Sequence, residues 1–100
     1  MDLGSNNFSG TIPTLFGQLQ NVRHLILWKN KLTGTIPREI GSMASLEMFQ
    51  VVYNYLTGEM PSEVCGIVPV PLSKLSADCE GGENAIVVCG CCSYCATGYD

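Results

Sequence analysis

Three asparagines, Asn6, Asn30 and Asn54, recur at a fixed step of 24 residues, and their neighbours recur with them. Phe8, Leu32 and Leu56 hold one equivalent position. Gly10, Gly34 and Gly58 hold a second, Ile12, Ile36 and Met60 a third, and Pro13, Pro37 and Pro61 a fourth. A unit this short has no core of its own. It buries its apolar face only by stacking on copies of itself, so the chain is constrained to a repeat architecture with nearest-neighbour stability.

Ahead of each asparagine runs an apolar skeleton. Leu19, Val22, Leu25 and Leu27 precede Asn30, and Met43, Leu46, Phe49 and Val51 precede Asn54. The chain enters partway through such a unit, with Met1, Leu3 and Asn6 at the places of Leu25, Leu27 and Asn30. A weaker fourth copy runs through Ile67, Val70, Ser73, Leu75 and Asp78. Apolar residues two apart predict short strands with those side chains inward, near residues 1–4, 25–28, 49–52 and 73–76. Stacked in parallel about 4.8 Å apart, they make one face of a coil.

The asparagine comes where the chain turns inward. Its amide can pair backbone groups that burial would otherwise leave unpartnered, which predicts a ladder of Asn6, Asn30 and Asn54. Asp78 stands at the fourth rung with an acceptor but no amide donor. That change, and Ser73 in place of an inward leucine, suit a final rung with no coil after it. The prolines open a returning arc, predicting convex helical turns over 14–19, 38–43 and 62–66. The fold class is therefore an α/β solenoid over residues 1–78 with a concave parallel sheet, followed by a cap from 79 to 100 in which residues 85–89 add a strand. No capping segment shields Leu3 and Phe8, so Met1 is expected to be an internal residue of a longer chain or a start codon set by a truncated gene.

These positions resemble the plant-type leucine-rich repeat, L-x-x-L-x-L-x-x-N-x-L-x-G-x-I-P-x-x-L-G-x-L. The resemblance is close from residue 1 to about 64 and looser to 79. Receptor-kinase ectodomains and secreted polygalacturonase inhibitors carry this repeat. The resemblance implies a curved solenoid that binds a partner on its concave sheet, and it brings no catalytic residues. The end of the chain, from Cys65 through Ala77-Asp78-Cys79 to Cys95, resembles the cysteine-rich caps of diatom and related algal leucine-rich-repeat proteins.

Six cysteines, Cys65, Cys79, Cys89, Cys91, Cys92 and Cys95, gather in that cap. An even number in a small terminal region reads as a disulfide framework formed in an oxidising compartment. Fifteen pairings are open to six cysteines, and the sequence does not choose among them. Cys91 and Cys92 are expected to take different partners, because a ring between neighbours is strained. Cys65 shares the place of Gly17 and Gly41 and, like Cys79, anchors the tail to the last coil. A zinc site of Cys89, Cys91, Cys92 and Cys95 is a remote alternative, with crowded spacing and no nearby histidine. Thiol redox chemistry at Cys92 and Cys95 is another, without the βαβ context it needs.

The five Lys and Arg residues are scattered and the net charge is -4, so no basic patch suits nucleic acid. No apolar run approaches the roughly 20 residues that cross a bilayer. No nucleophile and base surround His24, the one histidine, and neither a catalytic centre nor a metal or cofactor is expected. Regular Ser and Thr rows, Ser9, Thr33 and Thr57 and then Thr11 and Thr35, are read as part of a second sheet; ice binding is the lesser reading. Asn7-Phe8-Ser9 is a glycosylation sequon, but it coincides with the wording of the repeat.

The outward strand residues are the candidate binding surface. They are Asp2, Gly4 and Ser5, then Ile26, Trp28 and Lys29, then Gln50, Val52 and Tyr53, then Lys74, Ser76 and Ala77. Aromatics such as Trp28 and Tyr53 are frequent anchors of interfaces. The function expected is non-catalytic recognition of a protein or carbohydrate, extracellular or at the cell surface. The alternative is a purely structural end piece of a larger receptor or cell-wall protein.

Overall fold

The structure, a computed structural model, describes residues 1–82 and 85–98. The first half-unit makes an isolated bridge rather than a strand. Asp2 pairs with Ile26, and the Leu3 N–H donates to the Ile26 carbonyl at 2.8 Å. The elements follow as β1 (Ser9–Gly10), a 3-10 helix (Thr14–Gln18), β2 (His24–Ile26), β3 (Lys31–Gly34), a second 3-10 helix (Arg38–Ser42) and β4 (Met48–Gln50). Then come β5 (Tyr55–Leu56), β6 (Gly58–Glu59), α1 (Ser62–Cys65), β7 (Lys74–Ala77), β8 (Val87–Val88) and β9 (Tyr94–Cys95).

They form three layers. The concave sheet is parallel, in the order β2-β4-β7-β9. A second face carries the short sheets β1-β3-β5 and β6-β8. The helices line the convex side. Between the layers lies one apolar core that includes Leu25, Leu27, Ile40, Phe49, Val51 and Leu75.

Each helix begins on its proline. Pro13, Pro37 and Pro61 are N-cap residues with φ of -63, -72 and -59°, and each carbonyl accepts the N–H three residues on. Successive helices then pack backbone to backbone. A Cβ on Gly17 would lie 2.6 Å from the Glu39 carbonyl oxygen, and one on Gly41 would meet the Glu63 carbonyl. Glycine is therefore required wherever another helix follows. Cys65, at the equivalent place in α1, has no further helix beside it among the described residues, and its side chain bridges into the tail.

The fourth rung departs from the expected register. Leu25 pairs with Phe49 at the 24-residue step, but Phe49 pairs with Leu75, a step of 26. Leu75 thus holds the place predicted for Ser73. Ser73 is exposed, while Leu72 and Leu75 are buried and Ala77 lies fully inside. Two extra residues enter between α1 and β7 and are removed again before Asp78. The β7 strand consequently spans Lys74–Ala77 rather than 73–76.

The tail does not stand apart from the coils. Its β9 extends the concave sheet, with Ser76 opposite Tyr94 and Ala77 opposite Cys95. The strand expected over 85–89 is the shorter β8, which pairs with β6 on the side face. Three disulfides, Cys65–Cys91, Cys79–Cys95 and Cys89–Cys92, tie the tail to the helix, to the end of β7 and to itself.

Candidate recognition face

The ladder holds the face in place. Asn30 is 1% exposed, and its Oδ1 accepts the N–H groups of Asn6 and Phe8, both at 3.0 Å. Its amide donates back to the carbonyls of Leu3 at 2.9 Å and Leu27 at 3.1 Å. Asn54 repeats this one coil later, donating to Leu27 and Val51 and accepting from Leu32. Asn6, the first rung, is exposed and donates to the Gly4 carbonyl.

Asp78 closes the ladder by a different logic from the one its sequence position suggests. The amide donors of this ladder reach the preceding coil and their own coil, so a missing donor is not explained by a missing next coil. The reason lies in the shortened last rung. The Ser5 N–H donates to the Trp28 carbonyl, and the Lys29 N–H to the Val52 carbonyl. At Tyr53 the Asp78 carboxylate takes over that role, accepting at 2.9 Å, while its other oxygen accepts from the Asn54 N–H at 3.2 Å. With an N–H facing each of its two terminal atoms, this side chain must accept at both and has no place for an amide NH2. Burial pushes the Asp78 pKa up, and the two N–H bonds partly offset that rise.

Above this support the side chains stand in rows. Asp2, Ile26, Gln50, Ser76 and Tyr94 form one row, and His24, Met48 and Lys74 another. Trp28 lies across Gly4, where a Cβ would come 2.6 Å from the indole Cδ1, so glycine there is what lets the ring lie flat. The Lys29 Nζ is 6.0 Å from the Trp28 ring centroid, at the outer limit of a cation–π contact. Ser5, Lys29 and Tyr53 share a positive φ of 58 to 60°, at the turn that ends each strand. This recurrence at one position of the first three coils marks it as part of the repeat's bend, and the fourth coil, with Ala77 inside β7, departs from it.

Of the predicted residues, Trp28 and Lys29 are exposed on this face, and Ile26, Gln50 and Tyr53 are half-buried. Val52 and Ser76 are buried, and Ala77 points inward. Lys74 lies beside Met48 rather than Gln50, as the shifted register requires. Three residues on the face escaped sequence reasoning: His24, Met48 and Tyr94. The pattern Leu46-x-x-Phe49, repeated as Leu72-x-x-Leu75, would have revealed the shift had it been weighed above the fixed period. Tyr94 had no such signal, since its place depends on how the tail folds back.

At the edge of the face Arg23 and Glu47 form a two-pronged pair, at 2.7 and 3.1 Å. This bond raises the Arg23 pKa and lowers that of Glu47. Lys29 and Lys74 enter no ion pair among the described residues. The cysteines that a zinc or redox site would need are bonded otherwise. Cys92 pairs with Cys89 and Cys95 with Cys79, so Cys92 and Cys95 are not a couple. Among the described residues no group of three or more His, Cys, Asp or Glu is placed to hold a metal ion, and no helix is long and apolar enough to cross a membrane.

Ladder, glycine-spaced helices and concave parallel sheet define a solenoid scaffold. The leucine-rich-repeat family pattern matches residues 1–56, and the chain belongs to that family. The cysteine-rich end lies outside the matched region. No curated protein matches the chain in sequence. Among solved structures it is similar to the plant peptide hormone receptor RGFR1 in complex with RGF2, with 37% identity and a TM-score of 0.64 over 67% of this chain and 11% of that one. It is also similar to the BIR3–SERK2 complex from Arabidopsis thaliana, with 28% identity, a TM-score of 0.72, and 88% and 53% of the two chains covered. A plant ice-binding protein shares 31% identity and a TM-score of 0.65 over 78% of this chain and 24% of that one. The chain therefore spans a small part of the receptor and about half of the chain in the BIR3–SERK2 complex.

Proposed function

We propose that this chain is a non-catalytic recognition module, acting outside the cell or on its surface, whose concave face binds a protein or peptide. One observation carries this reading. The exposed Trp28 and Tyr94, together with Lys29 and Lys74, which enter no ion pair among the described residues, share a face held by buried asparagines and disulfides. Such a face is ordered before a partner arrives, so little entropy is lost on binding. Large aromatics give contact area, and unpaired ammonium groups favour a partner that carries a carboxylate. That two similar structures are complexes with a peptide-hormone-named ligand and with a second protein supports a protein partner over a carbohydrate.

The test is a binding screen of the full chain against secreted proteins and peptides, followed by Trp28→Ala and Tyr53→Ala. Affinity lost at least tenfold with unchanged thermal unfolding supports recognition by this face. Unchanged affinity in both variants removes it and favours the purely structural role. A second reading rests on the side face, where Ser9, Thr11, Thr33, Thr35 and Thr57 are all exposed, and on the similarity to an ice-binding protein. Lys31, Tyr55 and Glu59 interrupt those rows. Inhibition of ice recrystallisation, abolished by Thr33→Lys, would favour this second reading over the first.

A further inference from the structure

The sequon Asn7-Phe8-Ser9 takes on a different meaning once the ladder is seen. Each repeat reads Asn, a variable residue, an apolar residue, then Ser or Thr. The hydroxyl therefore lies three residues after the ladder asparagine and two after the variable one. Only an asparagine at the variable position completes a sequon, and the first unit alone has one, Asn7, where later units have Lys31 and Tyr55. The two kinds of asparagine are chemically unlike here. The amides of Asn30 and Asn54 are buried and donate to backbone carbonyls. Asn7 is exposed, makes no hydrogen bond through its side chain among the described residues, and sits at φ 58°, a conformation asparagine tolerates.

From these facts we infer that Asn7 is an acceptor for an N-linked glycan. The amide Nδ2 attacks C1 of a lipid-linked glycosyl diphosphate. A C–N bond forms, the bond from C1 to the diphosphate oxygen breaks, the diphosphate leaves with the electron pair, and the amide gives up one proton to the transferring enzyme. The equivalent residues Lys31 and Tyr55 open β3 and β5, which places Asn7 at the side face and away from the rows of Trp28 and Tyr94. A glycan there leaves the recognition face clear. It is attached next to Phe8, which is 45% exposed and lines an apolar cavity of about 240 Å³ with Leu3, Ile12, Phe16 and Leu32.

This inference rests on the extracellular reading, because only a chain that passes through a secretory compartment meets the transferring enzyme. The experiment therefore reads both. The full chain is secreted from a eukaryotic host behind a cleavable signal peptide, and intact mass is measured with and without amidase removal of N-glycans, beside a free-thiol count. One glycan is expected, released with conversion of residue 7 to aspartate. Asn7→Gln and Ser9→Ala abolish it, and Ser9→Thr keeps it. A secreted chain with no free thiols but the bare polypeptide mass overturns the glycan and leaves the extracellular reading standing. A glycan that persists in Asn7→Gln overturns the assignment to this residue. A chain retained in the cell with free thiols overturns both.

Discussion

Asn54→Ala tests the ladder most directly. Asn54 is 2% exposed and Leu32, whose N–H it accepts at 3.2 Å, is 5% exposed. Its amide donates to the Leu27 carbonyl at 2.9 Å and the Val51 carbonyl at 3.1 Å. Alanine deletes both roles and strands at least the Leu32 N–H and the Val51 carbonyl inside the coil, while the Leu27 carbonyl keeps the Asn30 amide. A buried group without a partner costs about 1–3 kcal/mol, so the two together cost about 2–6 kcal/mol. Domains of this kind hold about 5–15 kcal/mol in all, so the loss is a large share.

The assay is urea unfolding with the disulfides intact, reading the midpoint and the slope. The midpoint should fall and the slope should stay, since the same surface is exposed. Asn54→Asp adds a second check. It keeps an acceptor for Leu32 but aims carboxylate charge at two carbonyl oxygens. Its penalty should be at least as large at neutral pH and should shrink on acidification, when a protonated carboxyl can donate. An alanine variant that loses under about 1 kcal/mol would refute the reasoning, because water or a backbone shift would then be satisfying those groups.

Asp78 makes a pH prediction. Its folded pKa is raised, so its contribution to stability is fully present below the ordinary aspartate value and is lost as pH rises from about 4 through the folded value. Relative to Asp78→Asn, the native chain should therefore gain stability as pH is lowered through that window, and an opposite trend in denaturation midpoints would sink the assignment. Gly41→Ala drives a methyl group into the Glu63 backbone and should cost about 1–3 kcal/mol by thermal unfolding. The disulfides should rank by the chain they close. Paired serine substitutions of Cys65–Cys91, separation 26, should cost about 3.5 kcal/mol and those of Cys89–Cys92, separation 3, about 1.6 kcal/mol, as read from denaturant midpoints.

What could be read from sequence was what each coil demands of its immediate neighbour. Asn30 and Asn54 must pair the backbone of neighbouring coils, and Pro13, Pro37 and Pro61 must start an arc. These requirements recur with the coil, so they write a period, and the period gave away both the layers and the place of Trp28 and Tyr53. The fourth rung broke the inference because its strand and its ladder slip independently. Leu75 aligns with Phe49 at a step of 26, yet Asp78 serves the turn at Tyr53 and the N–H of Asn54. A single period cannot express both.

The pairing and the path of the cap, though not its disulfide framework, were illegible for a related reason. Nothing local tells Cys65 to bond Cys91, or tells Tyr94 to lie beside Ser76, since each depends on a return of the chain through a segment without repeats. Its consequence for function is the larger one. A tail that merely sealed the core would need apolar residues facing inward and nothing in particular outward. This tail instead continues the concave strands and sets an exposed tyrosine in the same row as Ile26 and Gln50, so the end of the solenoid enlarges the very surface on which recognition is proposed. If that surface binds, Tyr94→Ala should weaken the partner that Trp28→Ala weakens, and a cap that only seals predicts that it would not.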